Sequence, residues 1–123
     1  MAFQRILRKL IVSTHGALGA IFADFEGEAV EVVTERPFDA GDYDLRVVGA
    51  YQAVVMTRLK EICAKARIGR PERFAIDFTT VHVLSFDLQD GYYVVLILDP
   101  TANEGLAWRQ LEKCRDELLA EMV

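Results

Sequence analysis

Leu45-Arg-Val-Val-Gly-Ala-Tyr-Gln-Ala-Val-Val-Met56 carries only two strongly polar side chains, Arg46 and Gln52. The stretch runs on as Thr57-Arg-Leu-Lys-Glu-Ile-Cys-Ala-Lys-Ala66, where Leu59, Ile62, Cys63 and Ala66 keep a 3–4 spacing. That spacing predicts one long helix. At 100° per residue, Val48, Tyr51, Val55, Leu59, Ile62 and Cys63 share a broad face, while Val47, Ala50 and Val54 fall on roughly the opposite side with Glu61 and Lys65. A helix on a sheet hides one stripe; a helix apolar all round needs a second cover. In a chain of 123 residues the simplest second cover is another chain.

Outward from this helix the pattern resolves into strands and two more helices. Upstream, Phe3, Ile6, Leu7, Leu10 and Ile11 form one face of a short helix, closed by Ser13-Thr-His-Gly16. Ala17-Leu-Gly-Ala-Ile-Phe-Ala23 is the apolar run of a strand covered on both faces, and Gly19 within it signals close approach of a neighbour. Asp24 to Glu28 reverses the chain into Ala29–Val33, an outer strand. Thr34 to Asp44 is a loop in which Asp42 or Asp44 is placed to cap the long helix. Downstream, Phe74–Phe78, Val81–Leu88 and Tyr92–Leu98 read as strands, the last two joined through the tight-turn pair Asp90-Gly91. Thr101-Ala-Asn-Glu104 has capping-box spacing, and Ala107, Leu111, Cys114, Leu118 and Met122 line a closing helix.

The order is α-β-β-α-β-β-β-α, an α+β sandwich. Antiparallel hairpins, with the two most apolar strands at the centre, give a five-stranded sheet in the order 2-1-5-4-3 with helices on both faces. One domain spanning residues 1–123 is expected. Cys63 and Cys114 then lie on opposite sides of the sheet and stay reduced, as in a cytoplasmic protein. The outer strands are edges open to another chain.

Charge narrows the function classes. A net charge of −5 argues against general nucleic-acid binding, and no run reaches the length of a membrane span. Acids crowd from Asp24 to Asp44 and bases from Arg58 to Arg73; such runs read first as solvated faces, and two patches of opposite sign can also steer a protein partner.

These elements, with certain residues, make the chain resemble the Roadblock family, named for a dynein light chain and common in bacteria. The likeness rests on the hairpin Gly16 to Gly27, the helix start Leu45-Arg-Val-Val-Gly49, the segment Asp90-Gly-Tyr-Tyr-Val-Val-Leu-Ile97, and Pro100-Thr-Ala-Asn-Glu-Gly-Leu106. The resemblance implies the profilin-like Roadblock architecture, a homodimer or heterodimer built on the long helix and the third strand, and a role with small Ras-like GTPases or in motor and signalling scaffolds. Joined to the helix pattern, it places the dimer interface at Val47, Ala50, Tyr51, Val54, Phe74, Ala75, Ile76, Asp77 and Phe78. Arg46, Arg58 and Glu61 are the surface candidates for the GTPase.

Chemistry has little support in the sequence. Gly16 and Gly19 lack the spacing and the lysine of a phosphate-binding loop. Two cysteines and two histidines far apart do not make a recurrent metal-ligand pattern. No catalytic residue, cofactor or metal is therefore expected, and the chain reads as a non-enzyme. His82 pairs with Asp77 if Thr79-Thr80 is a two-residue turn; a charge-assisted hydrogen bond, or a pH-sensitive edge, would follow. Alternative readings are a small-ligand sensor module and an architectural subunit of a motor or signalling complex.

Overall fold

The computed structural model describes residues 2–35 and 41–123, with the backbone alone at 41–44. Three helices, α1 (Ala2–Ser13), α2 (Gly41–Ala66) and α3 (Glu104–Met122), enclose strands β1 (Ala17–Ala23), β2 (Ala29–Thr34), β3 (Arg73–Asp77), β4 (His82–Asp87) and β5 (Tyr93–Leu98). The sheet runs β2-β1-β5-β4-β3, antiparallel throughout. The expected order therefore holds. Pairing slips beside Leu18 in β1 and again at Phe22/Ala23, so β1 joins its neighbours through two local irregularities.

Alternation along the central strands sends side chains to two cores. Ala20 and Phe22 of β1, with Val94, Leu96 and Leu98 of β5, meet Leu7 and Leu10 of α1 and Leu111 and Leu118 of α3. Ile21, Tyr93, Val95 and Ile97 point the other way, to Leu45 and Ala53 of α2. The six consecutive apolar residues of β5, all buried, follow directly from this double cover. Cys114 belongs to the first core and Cys63 to α2 on the other face, both as free thiols.

Turn chemistry fixes the edges. Asp90 and Gly91 both take positive φ, +57° and +81°, as the two-residue β4–β5 turn requires. In the β3–β4 hairpin Phe78 N–H donates to Val81 O at 2.8 Å, so Thr79-Thr80 is the turn and Asp77 pairs with His82. The α3 cap differs from the expected box: Asn103 Oδ1 accepts from Leu106 N–H at 3.0 Å, whereas Thr101 donates to Asp99. Asn outcompetes Thr here because it sits directly before the first helical residue. Helix α2 begins at Gly41, which leaves Asp42 and Asp44 within its first turn; their side chains, and the loop from residue 36 to 40, lie outside the described residues.

The seating of α2 divides the broad face read from the sequence. The sheet-facing residues are Leu45, Gly49, Gln52, Ala53 and Met56, with Val48, Val55, Leu59 and Cys63 half-buried. Tyr51 and Ile62, which share the broad helical face with Val48 and Val55, face outward instead of following them toward the sheet. The reason is polar: Gln52 is 2% exposed, its Oε1 accepting from Ser85 Oγ at 3.0 Å. Tyr93 O–H donates to Gly49 O at 2.6 Å. These two directional bonds decide which stripe faces in. A Cβ on Gly19 would lie 2.8 Å from Leu45 Cδ1, the close approach its position in β1 implied.

Candidate functional site

With α2 seated this way, its outer face carries an apolar stripe. Val47, Ala50, Tyr51 and Val54 are exposed, Tyr51 at 67% and Val54 at 58%. Helical spacing of three and four brings them into one row. Arg46, Arg58 and Glu61 are exposed on the same side of the helix, and Arg58 pairs with Glu61 at 3.6 Å. Exposed at both ends, that pair contributes little to stability.

Strand β3 extends the apolar surface. Its register pairs Phe74 with Ser85 and Ile76 with Val83, both on the α2 side of the sheet. Phe74 and Ile76 are half-buried, and Phe78, next in the alternation, is 48% exposed. Ala75 and Asp77 point to the opposite side, paired with Leu84 and His82. The nine residues expected at an interface thus divide: seven share the α2 side, and Ala75 and Asp77 belong to the strand edge through their backbone.

A further apolar residue escaped the sequence reading. Asp24 Oδ1 accepts from the amides of Glu26 and Glu28, both at 3.0 Å, which shapes the β1–β2 reversal and leaves Phe25 at its tip. Phe25 is exposed and, with Ala50, Val54 and Arg58, lines a shallow depression of about 200 Å³. An aromatic ring in a turn otherwise built of acids and glycine is the signal that could have marked it. Exposed apolar patches of this continuity mark interaction surfaces.

Trp108, Tyr92, Tyr93 and Cys114 have packing roles away from this surface. Trp108 packs edge-on to Phe86 at 6.0 Å beneath the Arg73 guanidinium, 4.6 Å above the indole, and Arg73 also meets Glu112 at 3.4 Å. Tyr92 stacks obliquely on Phe22, on the face opposite Tyr93. Burial, with Asp24 nearby, raises the Tyr93 hydroxyl above the usual phenol range, which keeps it a neutral donor to Gly49. Burial and then Glu117 push the Cys114 thiol up to about 12, making it an inert core thiol. His82 Nδ1 stands 3.5 Å from Asp77 Oδ1, longer than the charge-assisted hydrogen bond expected from the pairing. Their donor atoms and that of Glu104 cluster within 4.8 Å.

Among the described residues, no helix is long and apolar enough to cross a membrane. No family model matches the chain, and no curated protein matches its sequence. Solved structures do match in shape. MglB of Myxococcus xanthus superposes with a TM-score of 0.86 at 12% identity, over 98% of this chain and 87% of that one. A Roadblock/LC7 domain from Streptomyces avermitilis gives 0.85 at 8% identity, over 97% and 96%. The gliding protein MglB of Thermus thermophilus gives 0.82 at 15% identity, over 97% and 87%. The fold is the Roadblock fold, as the sequence resemblance implied.

Proposed function

We propose that this chain is a non-catalytic interaction protein: a Roadblock-like homodimer that binds a small Ras-like GTPase and tunes its nucleotide cycle or its location. One observation carries the reading. Among the described residues, the outer face of α2 and the α2 side of β3 leave Val47, Tyr51, Val54 and Phe78 exposed and Phe74 and Ile76 only half-covered. A second copy related by a twofold axis would lay its own α2 against this stripe and continue the sheet at β3, since a twofold contact is self-complementary.

The small-GTPase assignment is supported by the Roadblock resemblance and by the shape match to MglB proteins. Arg46, Arg58 and Glu61 flank the stripe, so the partner would read charges displayed by the paired helices. Because the central strands are filled by their own side chains, the chemistry resides on this surface and not in an interior chamber.

The test joins two measurements. Sedimentation equilibrium should give a dimer at micromolar concentration. Immobilised dimer should retain a purified small Ras-like GTPase from the same genome in one nucleotide state in preference to the other, less so after Arg46→Glu or Arg58→Glu. A monomer that retains neither nucleotide form would overturn the proposal.

A further inference from the structure

The β3–β4 hairpin and the start of α3 bring together side chains that the proposed association surface does not use. Asp77 ends β3, His82 opens β4 directly opposite it, and Glu104 is the first residue of α3. One donor atom from each lies within 4.8 Å of the other two. His82 also pairs with Leu98 of β5, whose side chain belongs to the core beneath α1 and α3. The cluster therefore sits on the helix-pair side of the sheet, opposite α2.

Two carboxylates meet here with one imidazole. Among the described residues, neither Asp77 nor Glu104 has a lysine or arginine within ion-pair distance. Neighbouring carboxylates without a cation repel one another. The start of α3 offsets part of the Glu104 charge through its dipole, but that effect does not reach a full positive unit. Among the described residues, no lysine or arginine supplies the site with a cation.

The spacing fits one of a particular kind. A zinc-class ion holds imidazole nitrogen and carboxylate oxygen at about 2.0–2.2 Å. At tetrahedral angles, ligand atoms on such an ion stand about 3.3–3.5 Å apart, as follows from those bond lengths. His82 Nδ1 and Asp77 Oδ1 are already 3.5 Å apart, too far for a strong hydrogen bond and right for a shared ion. Glu104 brings a carboxylate oxygen within 4.8 Å of both. The pairing of imidazole with carboxylates selects zinc, cobalt or nickel over magnesium and calcium, which prefer oxygen alone.

We propose that Asp77, His82 and Glu104 form a binding site for a zinc-class divalent cation, which staples the edge hairpin to the start of α3. Three protein ligands leave one tetrahedral position for water or for a donor from another molecule. Asp77 is well exposed, at 65% of its side chain, and His82 at 24%, so an ion reaches the site from solvent without opening the fold. The ligand set escapes a motif search because residue 104 comes from a different element than the hairpin pair.

The experiment titrates cobalt(II) into the full chain and follows its visible ligand-field absorption. One ion per chain should bind, with excess magnesium failing to displace it. His82→Asn and Glu104→Gln should each weaken binding by about tenfold or more, with far-UV circular dichroism unchanged. Should His82→Asn unfold, Glu104→Gln carries the comparison, since that partly exposed helix terminus tolerates an isosteric amide. No absorption change on the parent chain would overturn the site. So would a cobalt titration unaltered in a folded variant, which would place the ion elsewhere, at His15 or Cys63.

Discussion

Val54→Asp separates association from folding. Val54 projects outward from α2 and is 58% exposed, so the fold loses little when it changes. Surface substitutions of this kind stay within about 0.5 kcal/mol, and valine and aspartate have comparable helix propensities. In the proposed dimer the same residue meets the partner helix. Fully burying a valine is worth about 1.5–3 kcal/mol, and a little over half of its surface remains to be covered, or about 1–2 kcal/mol per protomer. Two protomers double that to about 2–4 kcal/mol. Each introduced carboxylate then adds a desolvation penalty of several kcal/mol, and the two repel across the axis. A total of at least about 5 kcal/mol corresponds to a loss of three orders of magnitude or more in the dimer constant. Sedimentation equilibrium at micromolar concentration should therefore find a monomer whose circular dichroism matches that of the parent. A dimer of undiminished strength would refute the reasoning.

The buried pair beneath α2 should behave as a coupled unit. Ser85→Ala leaves Gln52 Oε1 without its donor and should cost about 1–3 kcal/mol in urea unfolding, whereas Ser85→Ala with Gln52→Leu should recover much of that loss. Leu111 is fully buried between α3 and the sheet, so Leu111→Ala should cost about 2–5 kcal/mol, read as a lower urea midpoint at constant slope. Cys114 supplies an alkaline signature. Its native thiol keeps its proton up to about 12, while the unfolded thiol loses it near 9. Its contribution is complete below about pH 9 and declines as pH rises toward 12, so Cys114→Ala should flatten that part of the stability–pH profile. In the native protein a thiol reagent should modify Cys63 and spare Cys114 until the chain unfolds.

Strand order was legible because local signals agreed with global needs. Asp90-Gly91 prescribes its turn, and the unbroken apolar runs of β1 and β5 admit only central positions. The rotation of α2 was not legible. Its sequence is apolar nearly all round, so two stripes compete, and periodicity gives no preference between them. Gln52 decides the matter only through Ser85, a residue from a distant strand. The same limit explains why Ile62 faces outward, why Phe25 joins the exposed patch, and why Glu104 meets Asp77 and His82. Each depends on contacts between elements far apart in the chain. The exposure of Val47, Ala50 and Val54 was legible, because a surplus apolar face on a helix is a property of the sequence pattern.

The Gln52–Ser85 and Tyr93–Gly49 bonds have an evolutionary consequence. They lock the orientation of the long helix from beneath, as a key fixes a shaft, so residues on its upper side are released from any duty to maintain the fold. Mutation can rewrite that upper side for a new binding companion while the scaffold stays constant. A lineage built this way can diversify what it recognises long after overall sequence likeness has faded.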